Sequence, residues 1–298
     1  MMKILVFVKA VRDTKVTLEY DQKLSDLRRS GSLFDINPAD LTGISQALAI
    51  KSEIPGLHIT AIHLGPEEGD RWIREALSYG FDDGIRVWDE AAGKVNAPAK
   101  ALVFSRIAEL LGFDLIFTGD TSLDTASGQT GILIAERFGI PCISSVVSVS
   151  MKPDQRTLLL KRILARGYEE QVECLPPAVI TTRGTASAPV VFSFDSLFNA
   201  ATEPINCWDF AKIGLPRAAV TELNSLLEYG KIREVAPRLI PIEVPDSNLS
   251  SFERVSRLLG ATMGKREGKV IKTDDDHAAD EIFKLLLECG VLNKTGAA

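Results

Sequence analysis

Short apolar runs alternate with stretches of helical period through the first two-thirds of the chain, and this alternation limits the possible folds more than any other feature. Residues 3–8, 59–64, 84–87, 114–118 and 178–182 are too short for helices and read as buried strands. Helical patterns run over 40–52, 68–79, 97–111 and 129–139. This β-α-β-α order predicts an α/β fold, a doubly wound, mostly parallel sheet with helices on both faces. Ligands of such sheets bind beyond the carboxyl ends of the strands, where strand order reverses. The polar turns after strands one, two and four are therefore the places to search.

From Ser148 the pattern changes. "VSMKPDQRTLLLKRILARGYEEQVECLPPAVITT" reads as a hairpin or meander, with Pro153-Asp154 at a turn and Pro176-Pro177 before the last core strand. After Val191 the periodicity fades, which suggests three parts. Residues 1–190 form the nucleotide-binding type of α/β domain, 191–215 an extended arm with one short helix, and 216–298 a C-terminal extension. The extension ends in a helix that Asp274 to Asp276 favour at its start and Gly290 stops. Its apolar face, Ala279, Ile282, Phe283, Leu286 and Leu287, must pack on this domain or on a partner.

Composition narrows the function. The 298 residues are 45% hydrophobic and 25% charged, ordinary for a chain with a real core, and the net charge of −6 argues against nucleic acid. No apolar run approaches the roughly 20 residues that span a bilayer, so the chain is not expected to be membrane-integral. The start, MMKILVFVKA, has too short an apolar part for a signal peptide and reads as a strand. Four well-separated cysteines, no CxxC and only three histidines argue against a zinc site and suggest free thiols in a reducing compartment. A cytoplasmic location is expected, or the mitochondrial matrix if the source is eukaryotic.

Four stretches could carry chemistry. "VKAVRDT" (8–14) follows the first strand and borders the crevice. In "INPADLTGISQAL", Asn37 takes the N-cap position with Pro38 at the first helical position and Asp40 at the third. "LGPEEGDRWIREAL" (64–77) opens a helix at the same sheet edge, its Arg71 and Arg74 reading as a solvated face of spaced ion pairs. The fourth, "LIFTGDTSLDTASGQTGILIAERFG" (115–139), sets small, hydroxylated and acidic residues between a buried strand and a helix. It is neither a Walker loop nor GxGxxG. Its amides, from about Ala126 to Gly131, are placed to cradle a phosphate, assisted by the hydroxyls of Thr121, Thr125 and Ser127. Asp124 repels phosphate and takes a structural or ribose-facing role. On this reading a bulky residue at Gly131 blocks the anion while the domain stays folded. No Ser-His-Asp set, carboxylate pair or Cys-His pair assembles, so the chain offers a nucleotide crevice without a catalyst.

These stretches occur together and in order, and with "LPPAVITT" and "EGKVIKTD…AADEIFKLLLECGVL" they resemble the beta subunit of electron-transfer flavoproteins. The resemblance implies an adenine-nucleotide-binding α/β fold and a heterodimer with an alpha subunit that holds most of a redox-active FAD. It implies AMP at the beta site, or a second FAD that accepts hydride from NADH in electron-bifurcating members. By position, the nucleotide lies against Ala10, Asn37, Pro38, Ala39, Asp40, Leu64 and Gly65. The same carry-over adds Ser122, Leu123, Asp124, Thr125, Ala126, Ser127, Gly128, Gln129, Thr130, Gly131, Ile132 and Leu133. Thr14 is placed near the isoalloxazine of the alpha-bound FAD. The segment around Leu197 and Phe198 resembles the arm that docks an acyl-CoA dehydrogenase-like partner, from which electrons pass to a quinone reductase or other acceptor.

The chain departs from the family at several points. Arg12 replaces a proline common in bifurcating members, and the Gln129-Thr130-Gly131 end of the phosphate loop is more like AMP-binding ones. The lysines that usually follow the arm's leucine are replaced by Ala200, Ala201, Thr202 and Glu203, and residues 221–265 are longer than the family pattern. The expected role is an electron carrier subunit rather than a self-sufficient enzyme. A bifurcating subunit is the alternative, and an adenine-nucleotide sensor of universal-stress type is the rival from another class.

Overall fold

The computed structural model describes residues 2–16, 20–21, 26–27, 33–90, 95–153, 156–184, 192, 194–226, 247–255 and 275–288. The chain divides into two units, Met1–Glu234 and Val235–Ala298. In the second unit the terminal helix runs over Asp275–Glu288, while Asp274 and Gly290 lie outside the described residues.

The first unit is built on a nine-stranded sheet. In chain order its strands are β1 (Lys3–Val8), β6 (His58–Leu64), β7 (Asp83–Val87), β8 (Leu115–Gly119), β9 (Cys142–Met151), β10 (Leu158–Ile163), β11 (Glu169–Cys174), β12 (Ala178–Thr182) and β13 (Asn206–Trp208). Two small antiparallel pairs lie outside it: β2 (Ala10–Arg12) with β5 (Phe34–Ile36), and β3 (Tyr20–Asp21) with β4 (Asp26–Leu27). The order across the sheet is β11-β10-β9-β12-β8-β1-β6-β7-β13. Neighbours from β9 to β13 pair in parallel, and β10 and β11 add an antiparallel meander at one edge. The doubly wound expectation therefore holds. Chain order grows outward from β1 through β6 and β7 on one side and returns to β8 on the other. The switch point lies between β1 and β8.

Strict alternation along β1 divides the core. Ile4, Val6 and Val8 face one layer with Ile44, Ala47 and Trp72, while Leu5 and Phe7 face the other with Val103, Phe104 and Ile107. The first layer contains helices α1 (Pro38–Glu53) and α2 (Asp70–Ser78), and the second α3 (Ala97–Leu111) and α4 (Thr130–Phe138). Each strand buried on both faces reads as a continuous apolar run, as parallel strands should.

The meander starts earlier than its sequence suggests. β9 begins at Cys142 and is itself a parallel partner of β12. Its sequence, CISSVVSVSM, alternates serine with valine and hides a strand that the sheet covers.

The arm belongs to this unit. Helix α5 (Phe194–Thr202) packs on α2, the chain then adds β13 beside β7, and helix α6 (Arg217–Asn224) packs on α3. Arg74 does not lie on a solvated face of ion pairs. Its Nη1 lies 2.6 Å from the Ala200 carbonyl, 2.9 Å from that of Ala201 and 2.9 Å from that of Glu203, where it satisfies the last carbonyls of α5. Leu197 and Phe198 are 44% and 59% exposed.

Candidate functional site

At the switch point the carboxyl ends of β1 and β8 part, and a cleft of about 750 Å³, open mouth included, lies between them. Its floor includes Phe7 and Phe104, whose rings stack with centroids 4.1 Å apart. Its walls come from the end of β1, the start of α1, the end of β6, the first turns of α3, and the loop from β8 to α4.

Two close approaches shape the wall. Gly119 ends β8, and a Cβ there would fall 2.4 Å from Asp40 Oδ1 and 2.9 Å from both Ala39 Cβ and Asn37 Nδ2. Only a glycine lets the start of α1 sit against the strand end. Asn37 takes the N-cap position of α1, yet its side chain makes no cap bond. It reaches across instead: Nδ2 donates to the Thr121 carbonyl at 2.9 Å, and Oδ1 accepts from the Leu123 amide at 3.3 Å. Asn37 thus pins the phosphate-loop candidate to the helix start. Asp40, only 4% exposed, accepts from the Lys9 amide at 2.8 Å and Asn37 Nδ2 at 3.3 Å. Burial pushes its carboxyl up to about 7 despite those bonds.

The loop after β8 is held from within. The Asp124 carboxylate accepts from Lys9 Nζ, from Ser122 Oγ at 2.7 Å and from the Thr125 amide at 2.7 Å. Burial alone would raise this carboxyl, but the Lys9 and Ser122 bonds and the Lys9 charge outweigh it and bring it down to about 2. Lys9 Nζ also donates to Ser122 Oγ at 3.0 Å. Ala126 and Gly128 take φ of 47° and 62°, turning the chain into α4. The amides of Ser127, Gly128 and Gln129 meet no acceptor among the described residues, and no side chain caps α4. Free amides at a helix start favour an anion, so these residues fit the phosphate of a nucleotide.

The cleft wall contains Asn37, Asp40, Leu64, Ser122, Thr125, Ser127, Gly128, Gln129 and Thr130, all expected from sequence. The other expected residues lie elsewhere. Ala10 is in β2, while the β1 end supplies Phe7, Val8 and Lys9. Pro38 and Ala39 form the first turn of α1, and the Ala39 carbonyl accepts from Thr182 Oγ1 at 2.8 Å. Gly65 packs over the buried His63 ring, where a Cβ would come within 2.3 Å of Nε2. Asp124 acts through Lys9, and Ala126 supports the turn. Leu123 and Ile132 face solvent, Leu133 packs on the core, and Thr14 is exposed in the turn after β2. The Cα of Gly131 turns toward the sheet. A Cβ there would meet Thr181 Cγ2 at 2.5 Å and Thr118 Oγ1 at 2.6 Å, so a side chain would press into the sheet. The expectation that a bulky residue at Gly131 leaves the domain folded is therefore withdrawn.

Sequence reading missed Lys9 and Lys100 as lining residues, along with Ala97, Phe104 and the strand end from Thr118 to Asp120, while Thr121, expected as an assisting hydroxyl, does line the cleft. Ala97, Lys100 and Phe104 stand three and four residues apart on α3, a spacing that reads as an ordinary core face. Among the described residues no group of three His, Cys, Asp or Glu could hold a metal. Cys142, Cys174 and Cys207 are free thiols, and Cys289 lies outside the described residues. No described helix is long and apolar enough to cross a membrane.

Comparison with known proteins adds an independent line. A family model described as the electron transfer flavoprotein domain matches residues 27–212. The electron transfer flavoprotein subunit beta of Methylophilus methylotrophus is 30% identical over 226 residues, 76% of this chain and 86% of that protein. The caffeyl-CoA reductase-Etf complex subunit CarD of Acetobacterium woodii is 29% identical over 72% of this chain and 80% of its own length. The acryloyl-CoA reductase electron transfer subunit gamma of Anaerotignum propionicum is 31% identical over 70% and 78%.

Proposed function

This chain belongs to the electron transfer flavoprotein domain family as a beta-type subunit, and from that premise we propose that its switch-point cleft holds AMP while an alpha subunit holds most of the FAD. The observation that supports this most is the set of amides at Ser127, Gly128 and Gln129, which open onto the cleft at the start of α4 without a protein acceptor. FAD supplies the redox chemistry when bound, and the protein binds, orients and shields it. In this chain the exposed Thr14 turn is the element offered to the isoalloxazine, and the β8–α4 loop holds the nucleotide. The subunit works as an electron carrier component between an acyl-CoA dehydrogenase-like donor and a quinone reductase or other acceptor.

The heterodimer, purified and then denatured, is expected to release one FAD and one AMP. The reductase-complex relatives support a second reading, a second FAD in the cleft that accepts hydride from NADH. Two flavins and no AMP, with direct reduction by NADH, would replace the first reading with the second.

Helix α5 is the proposed docking element. Its Leu197 and Phe198 are exposed while its far side packs on α2, and apolar anchors of this kind commonly carry about 2 kcal/mol or more of binding each. The residues that follow, Ala200 to Glu203, carry no positive charge, so docking should be mainly apolar and only weakly salt-dependent. Leu197→Ala is expected to slow electron transfer to the external partner tenfold or more at subsaturating concentrations (about 1.4 kcal/mol). Flavin content and heterodimer stability should hardly change. Loss of flavin in that variant would make Leu197 a packing residue instead.

A further inference from the structure

Lys100 is a costly residue where it stands. It lies in the first turn of α3, at the positive end of that helix, where a cation is disfavoured. It is half-buried in the cleft wall, one turn before Phe104, and its position on the same face as Ala97 and Phe104 turns it toward the cleft. Among the described residues it has neither an ion pair nor a hydrogen bond for its ammonium group. The carboxylates nearby are engaged elsewhere. Asp124 takes the Lys9 ammonium, Asp40 takes the Lys9 amide and Asn37, and Asp120 takes hydroxyls from Thr121 and Ser145. A half-buried, unpaired charge of this kind fits a site where a ligand supplies its partner.

We infer that Lys100 recognises the phosphate of the nucleotide in this cleft and sets the preference for nucleotide over nucleoside. The inference rests on the nucleotide reading of the cleft and adds a second contact, from α3, to the amides at the start of α4. Lys9, the other ammonium in the wall, is held by Asp124 and Ser122 and serves to brace the loop. Burial pulls the Lys100 ammonium down to about 8, with the Lys9 charge adding to the fall and Asp124 opposing it. A bound phosphate holds that proton on. Binding therefore takes up a proton above pH 8, and affinity falls as pH rises past that point, where the phosphate of AMP is already fully ionised.

The test is calorimetric titration of AMP and of adenosine into the nucleotide-stripped heterodimer, as wild type, Lys100→Met and Lys100→Arg. Lys100→Met is expected to weaken AMP by about 10- to 100-fold, the size of one charge-assisted hydrogen bond, and leave adenosine unchanged. Lys100→Arg should keep most of the AMP affinity. If Lys100→Met does not fold, the wild type decides: AMP affinity should fall between pH 7.5 and 9.5 (a window set around the depressed lysine), while adenosine affinity should not. Lys100→Met binding AMP like the wild type, or a flat wild-type pH profile, overturns the inference and leaves the nucleotide reading intact. A wild-type heterodimer that takes up no AMP overturns that reading and the inference with it.

Discussion

Gly131→Leu is expected to destabilise the first unit by about 3 kcal/mol or more, with nucleotide loss following from loss of packing. The added Cβ would already fall 2.5 Å from Thr181 Cγ2 and 2.6 Å from Thr118 Oγ1. Both neighbours are β-branched side chains near the ends of buried parallel strands, so neither can swing away without leaving its rotamer. Gly131→Ala should cost less but keep the same sign. Urea unfolding followed by circular dichroism reads both. A Gly131→Leu chain with the wild-type midpoint that has nevertheless lost its nucleotide would return this residue to the phosphate cradle.

The second large effect depends on pH. Asp40 has an ordinary carboxyl value of 3.8 when unfolded, and burial raises it to about 7 in the folded chain. Between these values the folded chain keeps a proton that the unfolded chain has released. The part of the stability that Asp40 controls therefore falls as pH rises from about 4 to 7 and levels off above that, while His63, whose imidazole burial pulls below its ordinary value of 6.5, acts in the opposite direction below that value. About three pH units at roughly 1.4 kcal/mol each set an upper bound of roughly 4 kcal/mol. The Asp124 carboxyl, brought down to about 2, acts below this window and in the opposite direction. Measured against Asp40→Asn, in which His63 is unchanged, the urea midpoint of the wild type should drop between pH 4.5 and 7.5 (inside the window set by the linkage). An unchanged slope in Asp40→Asn would assign the proton to another group.

Much of this architecture was legible from period alone. β1, β6, β7, β8 and β12 are apolar runs too short to be helices, and each appears within a residue or so of its expected place. β9 was legible only in part because its serines break the apolar run, and β2, β5 and β13 are too short to show any period. In the site, the small residues after β8 drew attention to the loop that lines the cleft, since close backbone approach demands such residues. Side-chain direction was not legible. Asn37 has the residue type of a helix cap but donates to the neighbouring loop, a choice set by the close fit at Gly119. Gly131 reads as part of an anion cradle because glycine serves both purposes, and only its neighbours show that a side chain there would press into the sheet. Lys100 was hidden because a lysine on a helix ordinarily faces water.

The Arg74 contacts with the end of α5 bear on how fast a partner can be engaged. That helix is pinned at its last turn and runs on into β13, a strand of the sheet whose central members form the cleft. It behaves as a splint rather than a whip. On the proposed docking role, a partner meeting Leu197 and Phe198 has little chain to immobilise, so little entropy is lost on contact. A surface held this way meets whatever binds it already in shape, and the three carbonyl contacts of Arg74 are what hold it.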